Sequence, residues 1–198
     1  MKIVLCIFLS LISILIAFTN PAIAVEIKDR NEYLIDTRGD DGDIVLNRFS
    51  INNRLRSFRL EITAFGEAQW NMEISDWEKI TMGIEIGKYF RNWLYIGQSL
   101  QFISGEMLDY MAFETSYNSV DSTTKIAIDF PVAKDLFLHL FEEYSANLEE
   151  GMGEYCETGI EFNYKLNNSY LLGFGWRHTD RIHNLDTDYV STSLTLNF

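Results

Sequence analysis

The last twelve residues, Thr187 to Phe198, constrain the fold most, because they read TDYVSTSLTLNF and alternate strictly in polarity. Successive side chains of an extended strand point to opposite faces, so a period of two separates the residues into two sets. One set is Val190, Thr192, Leu194, Leu196 and Phe198, and the other is Tyr189, Ser191, Ser193, Thr195 and Asn197. The segment therefore predicts a strand with one apolar and one polar face.

The same alternation recurs from Ser57 onward and predicts seven more strands. They run from Phe58 to Trp70, Trp77 to Lys88, Trp93 to Ile103, Thr123 to Val132, Leu136 to Ser145, Glu154 to Leu166 and Ser169 to Ile182. Each is near the roughly 9 to 11 residues of a tilted strand that spans a membrane. Ser104 to Ser122 breaks the pattern and is predicted to be the only long loop. This gives eight strands, and a ten-strand alternative that uses Ile44 to Ile51 and divides the long loop remains open.

The first 24 residues predict an export signal. Lys2 is followed by an almost continuously apolar stretch, Ile3 to Phe18, and Ala22-Ile23-Ala24 is a small-x-small cleavage site, so cleavage is expected after Ala24. No later run approaches the roughly 18 to 20 apolar residues of a membrane helix. Without Lys2 the remaining chain has 15 basic and 29 acidic residues, a net charge of 15 − 29 = −14, which argues against binding nucleic acid.

A terminal aromatic residue preceded by alternate apolar residues, in a chain with an export signal, resembles the closing strand of bacterial outer-membrane β-barrels. The resemblance implies an all-β, antiparallel, up-and-down transmembrane β-barrel over residues 57–198, located in the outer membrane. It also implies contact with outer-membrane lipid and lipopolysaccharide, and insertion by the barrel assembly machinery through the signature Leu194, Leu196 and Phe198. Residues 25–56 are predicted to be a periplasmic lead-in segment. Two alternatives are open for it: it adds a strand to the barrel, or it enters the barrel mouth.

The polar faces of the predicted strands carry charges that a barrel would enclose. The predicted interior charge network is Arg59, Glu61, Glu67, Lys79, Glu85, Lys125, Asp129, Glu143, Glu157, Glu161, Lys165 and Arg177. Ions removed from water are costly unless they are paired and hydrogen-bonded, so these groups are expected to form salt bridges that fill the interior. The alternative is a narrow, cation-favouring conduit lined by the two surplus carboxylates (7 − 5).

The last predicted external hairpin holds the densest polar cluster: His178, Asp180, Arg181, His183, Asp186 and Asp188. A loop with both charge signs suits contact with lipopolysaccharide phosphates and their bridging cations. Imidazole and carboxylate also suit a metal such as zinc, although the spacing matches no established metal motif. We therefore predict an electrostatic surface cluster here, with no metal site and no cofactor.

The lipid A deacylases are small outer-membrane barrels that use a membrane-facing His, Ser and acidic residue, and they offer the comparison for a catalytic role. Here His178 is followed by Thr179 and Asp180, so the His-x-Ser spacing of that family is absent. Ser191 falls on the inward face, and His139 is expected to be a hydrogen-bonded interior residue. The sequence thus predicts a non-enzymatic barrel, structural or a minor narrow solute pore, with a lipid-modifying hydrolase and a loop-mediated binding protein as alternatives.

Overall fold

The structure is a computed structural model that describes residues 23–39, 42–55, 58–73, 76–91, 93–108, 114–149, 151–181 and 186–198. Most of the predicted export signal, residues 1–22, lies outside the described residues. The described chain is built from β-strands, as the alternation of apolar and polar residues predicts. In order these are β1 Ile23–Asp36, β2 Ile44–Leu55, β3 Leu60–Asn71, β4 Asp76–Tyr89, β5 Leu94–Leu108, β6 Glu114–Ala133, β7 Leu136–Asn147, β8 Met152–Lys165, β9 Tyr170–Arg181 and β10 Thr187–Asn197.

Each strand pairs antiparallel with the next, and β1 pairs with β10 to close a barrel. The closing register places Lys28 opposite Asn197 and Asp36 opposite Tyr189. A closed barrel leaves no free sheet edge, so every strand finds two hydrogen-bonding neighbours. The predicted all-β, antiparallel, up-and-down barrel is therefore confirmed.

The preferred count of eight strands is corrected to ten. The two additional strands come from residues 23–55, so the segment assigned to a periplasmic lead-in forms part of the barrel wall. They do not come from dividing the predicted long loop, because β5 continues to Leu108 and β6 begins at Glu114. Cross-strand hydrogen bonds along this pair extend the sheet well past the point where the apolar alternation stops.

The strand faces agree with the predicted alternation from β3 to β10. Outward residues include exposed large apolar side chains on every side, such as Leu100, Ile126, Phe162 and Phe174. Inward residues are mostly buried and polar, although Phe65, Tyr95 and Phe141 also point inside. The barrel thus has an apolar outside and a mixed ionic and aromatic inside.

The two ends of the barrel differ in their connections. The C-terminal end holds the connections 56–59, 90–93, 134–135 and 166–169 together with Phe198. The opposite end, here called the loop end, holds the connections 37–43, 72–75, 109–113, 148–151 and 182–186, among them the longest. Near the C-terminal end a register shift between Pro131 and Ala133 accommodates the proline, which has no N–H to donate to the β-ladder.

Candidate functional site

Five charged side chains form one continuous chain of alternating sign inside the barrel, here called the arginine–glutamate chain. Arg177 on β9 donates from Nη1 to Glu157 Oε1 (3.2 Å) and from Nη2 to Glu32 Oε2 (2.7 Å). The same oxygen of Glu32 accepts from Arg30 Nε (3.2 Å), and Arg30 Nη2 donates to Glu161 Oε2 (2.8 Å). The chain therefore links β8, β9 and β1 across the seam where the barrel closes.

A serine hydroxyl and a glycine support the buried carboxylate of Glu161. Ser193 Oγ donates to Glu161 Oε1 at 2.8 Å, so both carboxylate oxygens have a partner. A Cβ atom at Gly173 would lie 1.8 Å from Glu161 Oε1. A buried charge is tolerated when it is paired and hydrogen-bonded, and the absence of a side chain at Gly173 provides the space for this arrangement.

A second ion pair and an aromatic ring extend this network around the wall. Lys125 Nζ lies 2.5 Å from Glu143 Oε1, joining β6 to β7. The Phe141 ring lies 5.3 Å from Lys125 Nζ and 5.3 Å from Arg177 Cζ, within the range of cation–π attraction. A Cβ atom at Gly159 would be 2.3 Å from this ring, so the glycine admits it. Phe141 thus connects the Lys125–Glu143 pair to the arginine–glutamate chain.

Two arginines of β2 make similar contacts with β3. Arg48 Nη1 lies 3.6 Å from Glu67 Oε2, and its guanidinium carbon lies 4.1 Å from the centre of the buried Phe65 ring. Arg54 donates from Nε (2.9 Å) and Nη2 (2.6 Å) to one oxygen of Glu61. Both pairs join adjacent strands and neutralise carboxylates that face the interior.

Two tyrosine hydroxyls, on the adjacent strands β4 and β5, line the interior near the C-terminal end. Arg54 Nη2 donates to the Tyr89 hydroxyl (3.2 Å), and the Tyr89 and Tyr95 ring centres are 4.9 Å apart. The Tyr95 hydroxyl donates in turn to Glu85. A Cβ atom at Gly87 would overlap the Tyr95 hydroxyl, so that position must be glycine for the ring to point inward. The Arg54–Glu61 ion pair and the two tyrosine rings thus line the β2–β5 side of this end of the barrel.

The structure places ten of the twelve residues of the predicted interior network inside the barrel and two at its exposed end. Ten face the interior: Glu61, Glu67, Lys125, Glu143, Glu157, Glu161 and Arg177 in ion pairs, Asp129 beside His139, Glu85 with Tyr95, and Lys79 with Nζ 5.9 Å from the Tyr155 ring. His139 Nδ1 lies 2.7 Å from Asp129 Oδ1, which makes it a hydrogen-bonded histidine. Lys165 is exposed at the end of β8. Arg59 is exposed in the β2–β3 turn, with φ at 52°, and is not part of the network.

The predicted network does not include the interior charged residues of β1 and β2, among them Arg30, Glu32, Arg48 and Arg54, because residues 25–56 were predicted to lie outside the barrel. A signal was present, since charged residues alternate along Glu26, Lys28, Arg30 and Glu32. The opposite face of β1 carries Asp29 and Asn31 among its apolar residues, so the test for an apolar face failed there. Three of the predicted carboxylates are paired with these arginines, which the sequence analysis assigned to the lead-in.

The predicted external cluster is partly assembled at the rim of the loop end. Asp188 forms an ion pair with Arg38, and its Oδ1 atom lies 3.0 Å from His178 Nδ1. The His178 ring stacks on Trp176 with centres 6.0 Å apart. Arg38 Nη1 donates to the carbonyl of Asp186 (3.2 Å), and Asp180 is exposed on the outer face. The side chain of Arg181, and all of His183, lie outside the described part of the chain.

The same geometry separates the residues considered for catalysis. Ser191 is 2% exposed and points into the barrel, whereas the His178–Asp188 pair lies on the outside of the wall. The sheet therefore stands between that serine and the histidine that would activate it. Within the residues that the structure describes, no three His, Cys, Asp or Glu side chains converge on a site that could hold a metal ion. That part of the chain also contains no helix with the length and apolar character needed to cross a membrane.

Comparison with known proteins adds structural neighbours and no family. No family model and no curated protein matches the chain. Among solved structures the chain is similar to the NanC porin, with a TM-score of 0.48, 7% identity and coverage of 87% of this chain and 99% of that chain. It is also similar to Neisserial surface protein A, with a TM-score of 0.42, 11% identity and coverage of 89% of this chain and 97% of that chain. For the KdgM porin the TM-score is 0.42 and the identity 12%, with coverage of 87% of this chain and 99% of that chain.

Proposed function

We propose that this chain is an integral outer-membrane β-barrel of non-enzymatic, structural type, whose ion-paired interior keeps it closed to solutes. The observation that carries the proposal is the arginine–glutamate chain, joined through Phe141 to the Lys125–Glu143 pair. A barrel wall that is apolar outside and ionic inside suits lipid on one side and a filled core on the other. We expect ordered salt bridges along the inner wall to narrow the interior and oppose the passage of ions and solutes, because a permeating molecule would have to displace their side chains.

The orientation follows from the two ends of the barrel. In outer-membrane barrels the short turns face the periplasm and the longer loops face outward. The C-terminal end would then be periplasmic, and the loop end would present Arg38, His178 and Asp188 near the lipopolysaccharide headgroups. Leu194 and Leu196 face outward, and Phe198 is exposed, as a terminal signature available to the assembly machinery requires.

Planar bilayer recording tests the closed interior. The purified protein should show little conductance, whereas the double variant Glu32→Ala/Arg177→Ala should conduct more, because it removes the centre of the arginine–glutamate chain without changing net charge. Arg59→Ala, which alters an exposed turn residue, serves as the matched control and should behave like the wild type. A wild-type barrel that conducts as freely as the double variant would show that the network does not close the interior.

The alternative of a lipid-modifying hydrolase rests on one observation, the His178–Asp188 pair on the outer surface. A catalytic role requires a nucleophile on the same face, and Ser191 is on the other. We expect mass spectrometry of lipid A to show identical acylation in cells with the wild-type protein, with His178→Ala and without the protein. Loss of an acyl chain that depends on His178 would establish the hydrolase instead.

A further inference from the structure

A polar group interrupts the apolar outer surface in the middle of β1 and β2. Asn47 Nδ2 donates to Asp29 Oδ1 (2.8 Å) and to Asn31 Oδ1 (2.9 Å). These three residues, here called the outer polar triad, point outward, because the intervening Arg30 and Glu32 point into the interior ion network. The triad is therefore on the face that the proposed function assigns to lipid.

The triad lies well inside the apolar band. Asp29 is six residues from the start of β1 (29 − 23) and seven from its end (36 − 29). Along the strand, Val25 and Ile27 lie below it, and Tyr33 and Ile35 lie above it. On the neighbouring strand β10, Leu196 and Leu194 lie opposite Asp29 and Asn31. Headgroups and bulk water are thus not the natural neighbours of these side chains.

The triad does not satisfy its own hydrogen-bonding capacity. Asn47 donates both hydrogens of its side-chain amide within the triad. The side-chain N–H groups of Asn31, Asn47 Oδ1 and Asp29 Oδ2 have no hydrogen-bond partner among the described residues. An ionisable residue facing hydrocarbon is costly and usually marks a contact with another polar group. The triad therefore calls for a partner that supplies both donors and acceptors.

A second outward polar group shows what a lipid-facing arrangement looks like in this barrel. Gln98 Nε2 donates to Ser122 Oγ (2.7 Å), and Thr124 Oγ1 donates to Gln98 Oε1 (2.7 Å). This group is uncharged, and both ends of the Gln98 amide are satisfied internally. The outer polar triad differs, because it contains a carboxylate and side-chain amide groups without a partner. This contrast indicates that the triad contacts a polar surface and not lipid alone.

We propose that the outer face of β1–β3 is a lateral interface with a second copy of this chain, centred on the outer polar triad. The inference rests on the proposed membrane location. The donors and acceptors of the triad that lack a partner are self-complementary. About a two-fold axis, the side-chain N–H donors of Asn31 in one copy can meet the Asp29 and Asn47 acceptors of the other. Next to the triad, β3 presents Gly66 opposite Phe49 and Ala68 opposite Asn47, and small residues let two membrane-embedded surfaces approach closely.

Sedimentation equilibrium in density-matched detergent tests the interface. The wild type should be a dimer, and Asp29→Leu/Asn31→Leu/Asn47→Leu should be a monomer that still shows heat-modifiable migration and vesicle insertion. The matched control, Gln98→Leu/Ser122→Ala/Thr124→Val, removes the internally satisfied group and should remain a dimer. A monomeric wild type, or a triple-leucine variant that remains dimeric, would overturn the proposal.

Cysteine cross-linking locates the contact and identifies the occupant. In a Cys156→Ser background, Phe49→Cys, which lies opposite Asp29 and leaves the outer polar triad intact, should give a disulfide-linked dimer on mild oxidation of intact cells, whereas Ile126→Cys, on the opposite side of the barrel, should not. Cross-linking of Phe49→Cys to a different protein would reject a second copy as the partner. Failure of the wild type to insert into vesicles would instead reject the membrane location, so the two proposals can fail separately.

Discussion

Replacement of Arg177 by methionine tests whether the arginine–glutamate chain stabilises the barrel. The guanidinium contacts Glu32 at 2.7 Å and Glu157 at 3.2 Å, and its side chain is only 15% exposed. Methionine keeps an unbranched apolar stem of similar reach but supplies no donor. The variant therefore leaves two interior carboxylates without one of their cations.

The expected loss follows from this geometry. Removing one partner of a buried ion pair costs about 3 to 5 kcal/mol, since the remaining charge is left uncompensated. Glu32 keeps Arg30 at 3.2 Å, so we expect Arg177→Met to lie at the lower limit, about 3 kcal/mol. Adding Glu32→Gln removes one of the uncompensated charges, so the double variant should be more stable than Arg177→Met alone.

Urea unfolding of the protein refolded in lipid vesicles, followed by tryptophan fluorescence and heat-modifiable electrophoresis, measures these differences. Lys165→Met is the matched control, because Lys165 is exposed and makes no ion pair among the described residues; it should change the free energy of unfolding by less than about 0.5 kcal/mol. An Arg177→Met variant as stable as that control would refute the role of the chain. A double variant less stable than Arg177→Met would refute the explanation by uncompensated charge.

Three further predictions concern the wall and the rim. Gly159→Val should destabilise the barrel by about 1 to 3 kcal/mol in the same urea assay, because its Cβ would overlap the Phe141 ring, and Phe141→Ala should restore part of the loss. Ile160→Arg should cost about 2 to 4 kcal/mol in vesicles, because it puts a charge on the lipid face near mid-strand; no loss would argue that this face is wet. Asp188→Asn should cost less than about 1 kcal/mol, and the loss should shrink in high salt, because the pair with Arg38 is at the exposed rim.

Prediction from sequence succeeded where one face of a strand is continuously apolar. In β4 the outward residues Ile80, Met82, Ile84 and Ile86 leave no ambiguity, and their inward neighbours follow at once. In β1 and β2 the outer polar triad interrupts the apolar face. The alternation therefore predicted a strand at Ile44 to Ile51 only in the ten-strand alternative and did not predict β1, although both strands are hydrogen-bonded in the barrel. The same three positions are the centre of the proposed lateral contact.

The sequence alone does not predict which interior charges form ion pairs with each other. Arg30 and Glu161 are separated by 131 residues, and they meet only because β1 closes against β10. Likewise, side-chain alternation predicts that Lys125 faces the interior, but its pairing with Glu143 depends on the β6–β7 register, which alternation alone does not set.

The sequence by itself determined that the wall is made of strands and which side chains of β3 to β10 face each way, because the two-residue period is a local property of an extended backbone. Only the tertiary structure decided that ten strands close the barrel, which interior charges pair, and where a polar group faces outward. Those features depend on register and closure, which are set by hydrogen bonds between segments far apart in the chain.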